Sequence, residues 1–401
     1  MPNASRRDPM ALLRQGVACH QRGAAAEAER FYQQALRLDP RLADAHNLLG
    51  LLARQHGDAA AALRHTAAAL ALRPAEPVFL ASHGGALAEA GQLPEAIRLL
   101  RRAVAARPAD AVSLRNLGQA LCALGDAGAA LAPLRQAVAL QPGAAEPWLA
   151  LAHALRESGD PAGAAESAGR ALAVGDAGLA AQARFLLAAL GHGAAPDRAP
   201  AEYVRDLFDQ FAPRFDAELT ERLGYRTPEA LAELLREAGV PGGLRVLDLG
   251  CGTGLSGLAL APLAARLEGL DLSPRMLAEA AKRNLYAALH EAELVAWLPG
   301  RPAAFDLVAA ADVLNYLGDL APALAAIHAA LAPGGWLGFS IEAGDTAPYT
   351  LGEAMRFRHH PGHVAGLAGA AGFREVARRE VVLRTEKGAP VQGVLFVLTR
   401  P

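Results

Sequence analysis

The chain has 401 residues, too many for one ordinary core, so two or three domains are expected. Apolar residues make up 52% and charged residues 20%, the balance of a folded protein and not of a long disordered one. A formal net charge of -2 and a pI near 6.6 give no overall basic field, so neither nucleic acid nor an anionic membrane is favoured as a partner.

The opening segment, MPNASRRDPMALLRQG, carries basic residues but no apolar stretch of signal-peptide length, and no run of about 18 uncharged apolar residues occurs anywhere. Cys19, Cys122 and Cys251 lie far apart without CxxC spacing, which points to free thiols in a reducing compartment and away from zinc or disulfides. A cytoplasmic location is the expectation.

From residue 9 the sequence repeats every 34 positions: Pro40, Pro74, Pro108 and Pro142; Gly16, Gly50, Gly84 and Gly118; Gly23, Gly57, Gly91, Gly125 and Gly159; Ala28, Ala62, Ala96, Ala130 and Ala164. A small residue eight positions into each unit lets two helices approach closely. The next glycine supplies a turn, and the proline ends the second helix. Such a hairpin cannot bury its apolar face alone and must stack on its neighbours. The pattern resembles the tetratricopeptide repeat family over about 9–175 in five units, although only Tyr32 and Trp148 stand where bulky aromatic residues are usual. The resemblance implies an all-α solenoid, assigned to 9–190, whose concave face binds a protein partner; support of the remaining chain, or self-association, is the alternative.

A linker rich in Gly, Pro and Ala follows at 191–200, and the pattern changes over 201–401. Amphipathic helices at about 202–216 and 227–238 precede β-type runs in LRVLDLG, RLEGLDL, AELVAWL, FDLVAAAD and GWLGFSI, with helix-type stretches between them. The alternation predicts a largely parallel sheet covered on both faces. REVVLRT and VQGVLFVLT, joined across EKGAP, predict an antiparallel hairpin that closes its edge.

The first of these strands runs into VLDLGCGTG, residues 246–254. In an open α/β sheet ligands bind beyond the carboxyl ends of the strands, and glycine there removes the Cβ atoms that would hold a ligand off the backbone. GTGLSG (Gly252, Gly254, Gly257) fits the GxGxxG dinucleotide fingerprint, but Asp248 argues for a positively charged amino-acid moiety, because a pyrophosphate disfavours a neighbouring carboxylate. The D-x-G-x-G-x-G run resembles the first motif of class I S-adenosylmethionine-dependent methyltransferases.

That resemblance implies a Rossmann-like domain with a seven-stranded, mostly parallel sheet ending in an antiparallel hairpin. It implies S-adenosylmethionine as cofactor, held by Asp248, Gly250, Cys251, Gly252 and Gly254. Asp271, 17 residues past Gly254 in LEGLDLSPRML, stands where an acid accepts both ribose hydroxyls, with Leu272 beside it. Ser273 predicts an N-cap and Pro274 the first helical position. In HEAELVAWL, Glu293 stands where the family has an aspartate facing the adenine amino group, and Leu294 packs on the ring. FDLVAAADVLNYLGDL, residues 305–320, resembles the fourth motif and brings Asp312, Asn315 and Tyr316 to the methyl-transfer pocket. Asp312 and Tyr316 are the catalytic candidates, Asp312 also a cofactor contact.

The aromatic-rich segment with Tyr203, Phe208, Phe211, Phe215 and Tyr225 resembles the helices that cover the cofactor, and Tyr225 is a candidate to reach it. His359, His360 and His363 crowd one loop, but no carboxylate or cysteine completes a metal site nearby, so no metal is expected. A sulfonium methyl is already electrophilic, so alignment and water exclusion suffice, with a general base needed only for a hydroxyl or a protonated amine. The fourth motif lacks the NPPY-type tetrapeptide associated with methylation of planar nitrogens in nucleobases and glutamine, and DVLNYL resembles relatives that methylate carbon, oxygen or sulfur of small molecules, so a small-molecule acceptor is expected before a protein; a scaffold that binds the nucleoside without turnover is the remaining alternative.

Overall fold

The computed structural model describes residues 8–346, 348–386 and 388–401, leaving the side chains of Glu221 and Arg222 aside. The opening seven residues and Lys387 of the EKGAP turn lie outside the described residues. Two compact units divide between Gly175 and Asp176.

The first unit is built of paired helices: α1 (Pro9–Gln21) and α2 (Ala25–Leu38), α3 (Ala43–Gln55) and α4 (Ala59–Leu72), α5 (Pro77–Glu89) and α6 (Leu93–Ala106), α7 (Ala111–Ala123) and α8 (Ala127–Leu140), α9 (Ala145–Glu157) and α10 (Pro161–Val174). The 34-residue beat has a direct physical cause. At Gly84 an added Cβ would meet Leu100 at 2.8 Å, and at Gly16, Gly50 and Gly118 it would run into Tyr32, Thr66 and Leu134, so each of the first four hairpins closes on one side chain from its second helix. The turn glycine at 23, 57, 91, 125 and 159 takes φ between 75° and 90°, where a Cβ is strained. Asp58, Asp126 and Asp160 follow three of these glycines and cap the second helix, accepting from Ala61, Ala129 and Gly163 N–H at 2.8, 3.1 and 2.9 Å.

The second unit begins with α11 (Ala177–Ala189) and α12 (Ala201–Phe211), joined by residues 190–200, which hold no helix or extended strand. The single helix expected at about 202–216 ends early: a 3-10 turn at Ala212–Arg214, α13 (Phe215–Ala217) and a π turn at Glu218–Arg222 follow it, since Pro213 has no N–H to continue the ladder. Then come α14 (Thr227–Glu237), β1 (Leu244–Leu249), α15 (Leu255–Leu260), β2 (Ala264–Asp271), α16 (Pro274–Lys282), β3 (Ala288–Glu291), α17 (Leu294–Trp297), β4 (Phe305–Ala310), α18 (Ala321–Ala330), β5 (Leu331–Ala343), β6 (Tyr349–Leu351), β7 (Phe357–His359), α19 (Pro361–Ala370), β8 (Arg374–Glu386) and β9 (Ala389–Thr399).

Strands β3-β2-β1-β4-β5 run parallel in that order, and β9 pairs antiparallel with β5 and β8. The sheet holds nine strands among the described residues, two more than the seven expected, because β6 and β7 form a short hairpin on the end of β5, at Glu342 and Ala343. Side chains alternate across the sheet: Leu247, Leu249, Val308 and Phe339 pack on α18 and α19, whereas Val246, Leu307 and Leu395 pack on α14. AELVAWL, expected as a strand, is helical over Leu294–Trp297, and the strand is the preceding ALHE. Glu293 caps that turn by accepting from Ala296 N–H at 2.8 Å, a local start signal that outweighs a short apolar run.

Candidate functional site

β1 lies between β2 and β4, where the chain's order of strands reverses, so a crevice opens beyond its carboxyl end. There Gly250, Gly252 and Gly254 take φ of 61°, 53° and 90° in succession. A Cβ at Gly250 would strike Val313, so the turn fits only bare backbone against the loop after β4.

Asp248, two residues before the turn, is fully buried. Its Oδ2 accepts from Ser256 Oγ and Tyr286 Oη, both at 2.7 Å, while Oδ1 is buried with no hydrogen-bond partner. Burial pushes its pKa up to about 7 against the two hydroxyl donors, with the Asp271 charge adding to the rise. An orphaned buried acceptor of this kind fits a cationic hydrogen-bond donor. Asp271, at the end of β2, accepts from Gly252 N–H at 2.9 Å and Ser273 N–H at 2.8 Å, and the Leu272 N–H also stabilises its charged form. Burial still raises it to about 6. Each of its oxygens keeps capacity to accept from a ribose hydroxyl. Ser273 caps α16, accepting from Met276 N–H at 3.0 Å. Cys251 is buried, its thiol pushed up by desolvation and its N–H spent on Leu270 O at 3.0 Å, so it offers backbone and packing rather than a nucleophile. Tyr286, which no motif singled out, fills the space facing Gly254, Gly257 and Gly269.

The covering segment is tied to this turn by acids. Asp209 of α12 accepts from Ser273 Oγ at 2.5 Å, and Asp216 of α13 accepts from Thr253 Oγ1 at 2.5 Å and from Arg283. Phe215 would lie 3.7 Å from a Cβ at Gly252, and Phe208 meets Phe215 and Tyr316 edge-on. A cleft of about 380 Å³ opens beside the turn between Arg214, Asp216, Thr253, Lys282 and Arg283.

Asp312 takes a left-handed φ of 56° just after β4. Its carboxylate accepts from Ser340 Oγ at 2.8 Å, Arg384 Nη1 at 3.3 Å and Thr227 Oγ1 at 3.4 Å; burial raises its pKa and Arg384 opposes the rise. Arg384 also pairs with Glu342 and with Glu386 (2.6 Å), and Arg356 bonds Glu342 (2.6 Å) and Glu386. Tyr316 hydrogen-bonds Arg356, and burial outweighs that guanidinium to raise its phenol. Tyr225 stands within reach of the Asp312, Arg384 and Asp248 charges, its phenol raised by burial first. Asn315 donates to Glu342 at 3.5 Å, and its own Oδ1 is buried without a partner.

Two of the base-side candidates also serve the local structure at the start of α17. Glu293 spends Oε2 on its helix cap, with Arg198 3.6 Å from Oε1, while Leu294 is buried in the core beside it. The three loop histidines do not converge: His359 is bonded to Gly318 O at 3.1 Å, and His360 caps α19 by accepting from His363 N–H at 3.3 Å.

A parallel sheet with a left-handed glycine turn after its first strand, an acid within that strand, a second acid ending the next and a closing antiparallel strand pair defines a class I methyltransferase fold. Residues 247–337 match the family model of the methyltransferase domain, and residues 3–43, 30–77 and 83–145 match that of the tetratricopeptide repeat; the chain carries both. A trans-aconitate 2-methyltransferase of Pseudomonas aeruginosa is 38% identical over 143 residues, covering 31% of this chain and 51% of that protein. A ubiquinone biosynthesis O-methyltransferase of Bordetella pertussis is 34% identical over 120 residues, 28% of this chain and 48% of that one. The chain thus spans about half the length of the curated relatives it matches. The solved structure of an N-methyltransferase from Bradyrhizobium japonicum, in complex with S-adenosyl-L-homocysteine, is 22% identical, covers 49% of this chain and 98% of that one, and has a TM-score of 0.41.

Proposed function

We propose that the second unit transfers a methyl group from S-adenosylmethionine to a hydroxyl of a small molecule, and that the concave face of the repeats, over about residues 9–175, docks a protein partner. The observation that carries the reading is Asp248, whose unpartnered Oδ1 lies buried at the foot of the glycine turn. Bound there, the cofactor supplies a methyl group on a sulfonium. Asp248 would accept from its amino-acid end, the Gly250–Gly254 backbone would cradle that end, Asp271 would accept from the ribose, and Leu272, Glu293 and Leu294 would border the base. Tyr225 and Tyr316 flank the transfer side, where the aromatic covering segment excludes water. Asp312 would take the acceptor's proton, its raised pKa making it a stronger base than an ordinary carboxylate; Tyr316 would orient the hydroxyl. Oxygen is favoured as acceptor atom because one of the relatives is named an O-methyltransferase.

Calorimetry with S-adenosylmethionine and its demethylated product, on wild type and Asp271→Ala, tests the cofactor; retention lost in the variant supports the assignment, and no retention by wild type overturns it. Labelled methyl appearing in filterable metabolites supports the small-molecule acceptor. Label on macromolecules would make the repeats a substrate recruiter instead, and retention without transfer would leave a nucleoside-binding scaffold.

A further inference from the structure

We propose that the second repeat carries a divalent transition-metal site formed by His46 and His65, independent of the chemistry of the second unit. His46 lies on α3 and His65 on α4, with their Nδ1 atoms 3.1 Å apart. Two imidazole nitrogens bound to one ion at ~2.0–2.1 Å stand roughly 2.8–3.0 Å apart as neighbours in octahedral geometry and roughly 3.3–3.4 Å apart in tetrahedral geometry, and the observed separation falls between the two. Nε2 of His46 lies 3.1 Å from the carbonyl oxygen of Pro40; a carbonyl only accepts, so this nitrogen carries the proton and Nδ1 presents its lone pair to His65. A carbonyl behind a ligating imidazole is the arrangement that fixes the tautomer and the ring plane of a metal ligand.

The repeats themselves supply the control. The positions equivalent to His46 and His65 are Leu12 and Phe31, Leu80 and Leu99, Leu114 and Pro133, and Trp148 and Ser167. Both members of the pair therefore change together in one unit, and only there do two nitrogen donors face each other across the hairpin. Both rings are half-buried, open enough for an ion to enter. Among the described residues no group of three or more His, Cys, Asp or Glu side chains gathers for an ion. The two imidazoles thus fill two positions, and water, or a donor from a docked partner, fills the others.

The test is calorimetric titration of the tag-free full-length protein with Ni(II) at pH 7.5 in a non-chelating buffer. Wild type should bind one equivalent more than His46→Gln or His65→Gln, or the variants should lose affinity for that equivalent at least about tenfold. A His46→Leu, His65→Phe double variant, which installs the apolar pair of the first repeat, should keep the helical fold and lose the same equivalent. Equal stoichiometry and affinity in all four proteins, or no binding by wild type, would overturn the site and leave a hydrogen-bonded histidine pair only.

Discussion

Replacing Asp248 by Asn separates what this residue does for stability from what it does for ligand. Carrying its carboxyl from near 3.8 in the unfolded chain to about 7 in the fold corresponds to about 4 kcal/mol of ionisation penalty at alkaline pH. Between those values the folded chain holds a proton that the unfolded chain has released. The contribution is therefore intact below pH 4, declines as pH rises through 7, and is level above that. Between pH 5 and pH 8 the linkage relation gives wild type a loss of about 2.5 kcal/mol that Asp248→Asn does not share. Asp271, raised to about 6, titrates in the same direction and is present in both proteins, so the difference between them reports position 248 together with its coupling to Asp271. Asn can still accept from Ser256 and Tyr286. Urea unfolding followed through Trp297 and Trp336 in a Trp148→Phe background, at pH 5 and pH 8, measures the difference. Wild type and variant should converge or cross as pH rises, and the variant should lose the increase in S-adenosylmethionine affinity expected between pH 6 and pH 8. Parallel stability curves would refute the reasoning, because they would mean that the carboxyl ionises as freely inside the fold as outside it.

Tyr286→Phe removes a 2.7 Å hydrogen bond to the same carboxylate; it should cost about 1.5–3 kcal/mol above pH 7 and move the midpoint of the wild-type pH dependence upward. Arg384→Gln strips Glu342, 3% exposed, of one of its guanidinium partners and should destabilise the second unit by about 3–5 kcal/mol, read as a lower midpoint in thermal melts. Gly118→Val drives a side chain into Leu134 across the α7–α8 hairpin and should cost about 1–3 kcal/mol, read as a lower midpoint of helix melting by circular dichroism.

What was legible in the sequence was set by short-range constraint. The repeat glycines show because each must clear one side chain exactly sixteen positions later in the same hairpin, as Gly84 clears Leu100. Asp248, the three glycines and Asp271 show because a turn with successive positive φ can be written in few residue types. AELVAWL was read in the wrong class because a short apolar run fits a strand or a buried helical turn equally well, and only the cap at Glu293 distinguishes them. Tyr286 and Arg384 were silent: their partners lie 38 and 72 residues away in sequence, and nothing in a local window marks a phenol or a guanidinium as the one that will meet a buried acid. The β6–β7 hairpin was missed because strands of three residues carry no periodicity.

The same long reach has a consequence during synthesis. Arg384 offers Nη1 to Asp312, Nη2 to Glu342 and Nε to Glu386, so one late side chain joins the loop after β4 to the tip of β5 and to its own strand. A nascent polypeptide emerging from the ribosome exposes the glycine turn and its two acids once β2 is out, and their partners Tyr286 and Val313 follow within about forty residues. The opposite wall of the crevice, with Asp312 held by Arg384, must wait for more than a hundred further residues, so the two sides of the crevice are completed far apart in the order of synthesis.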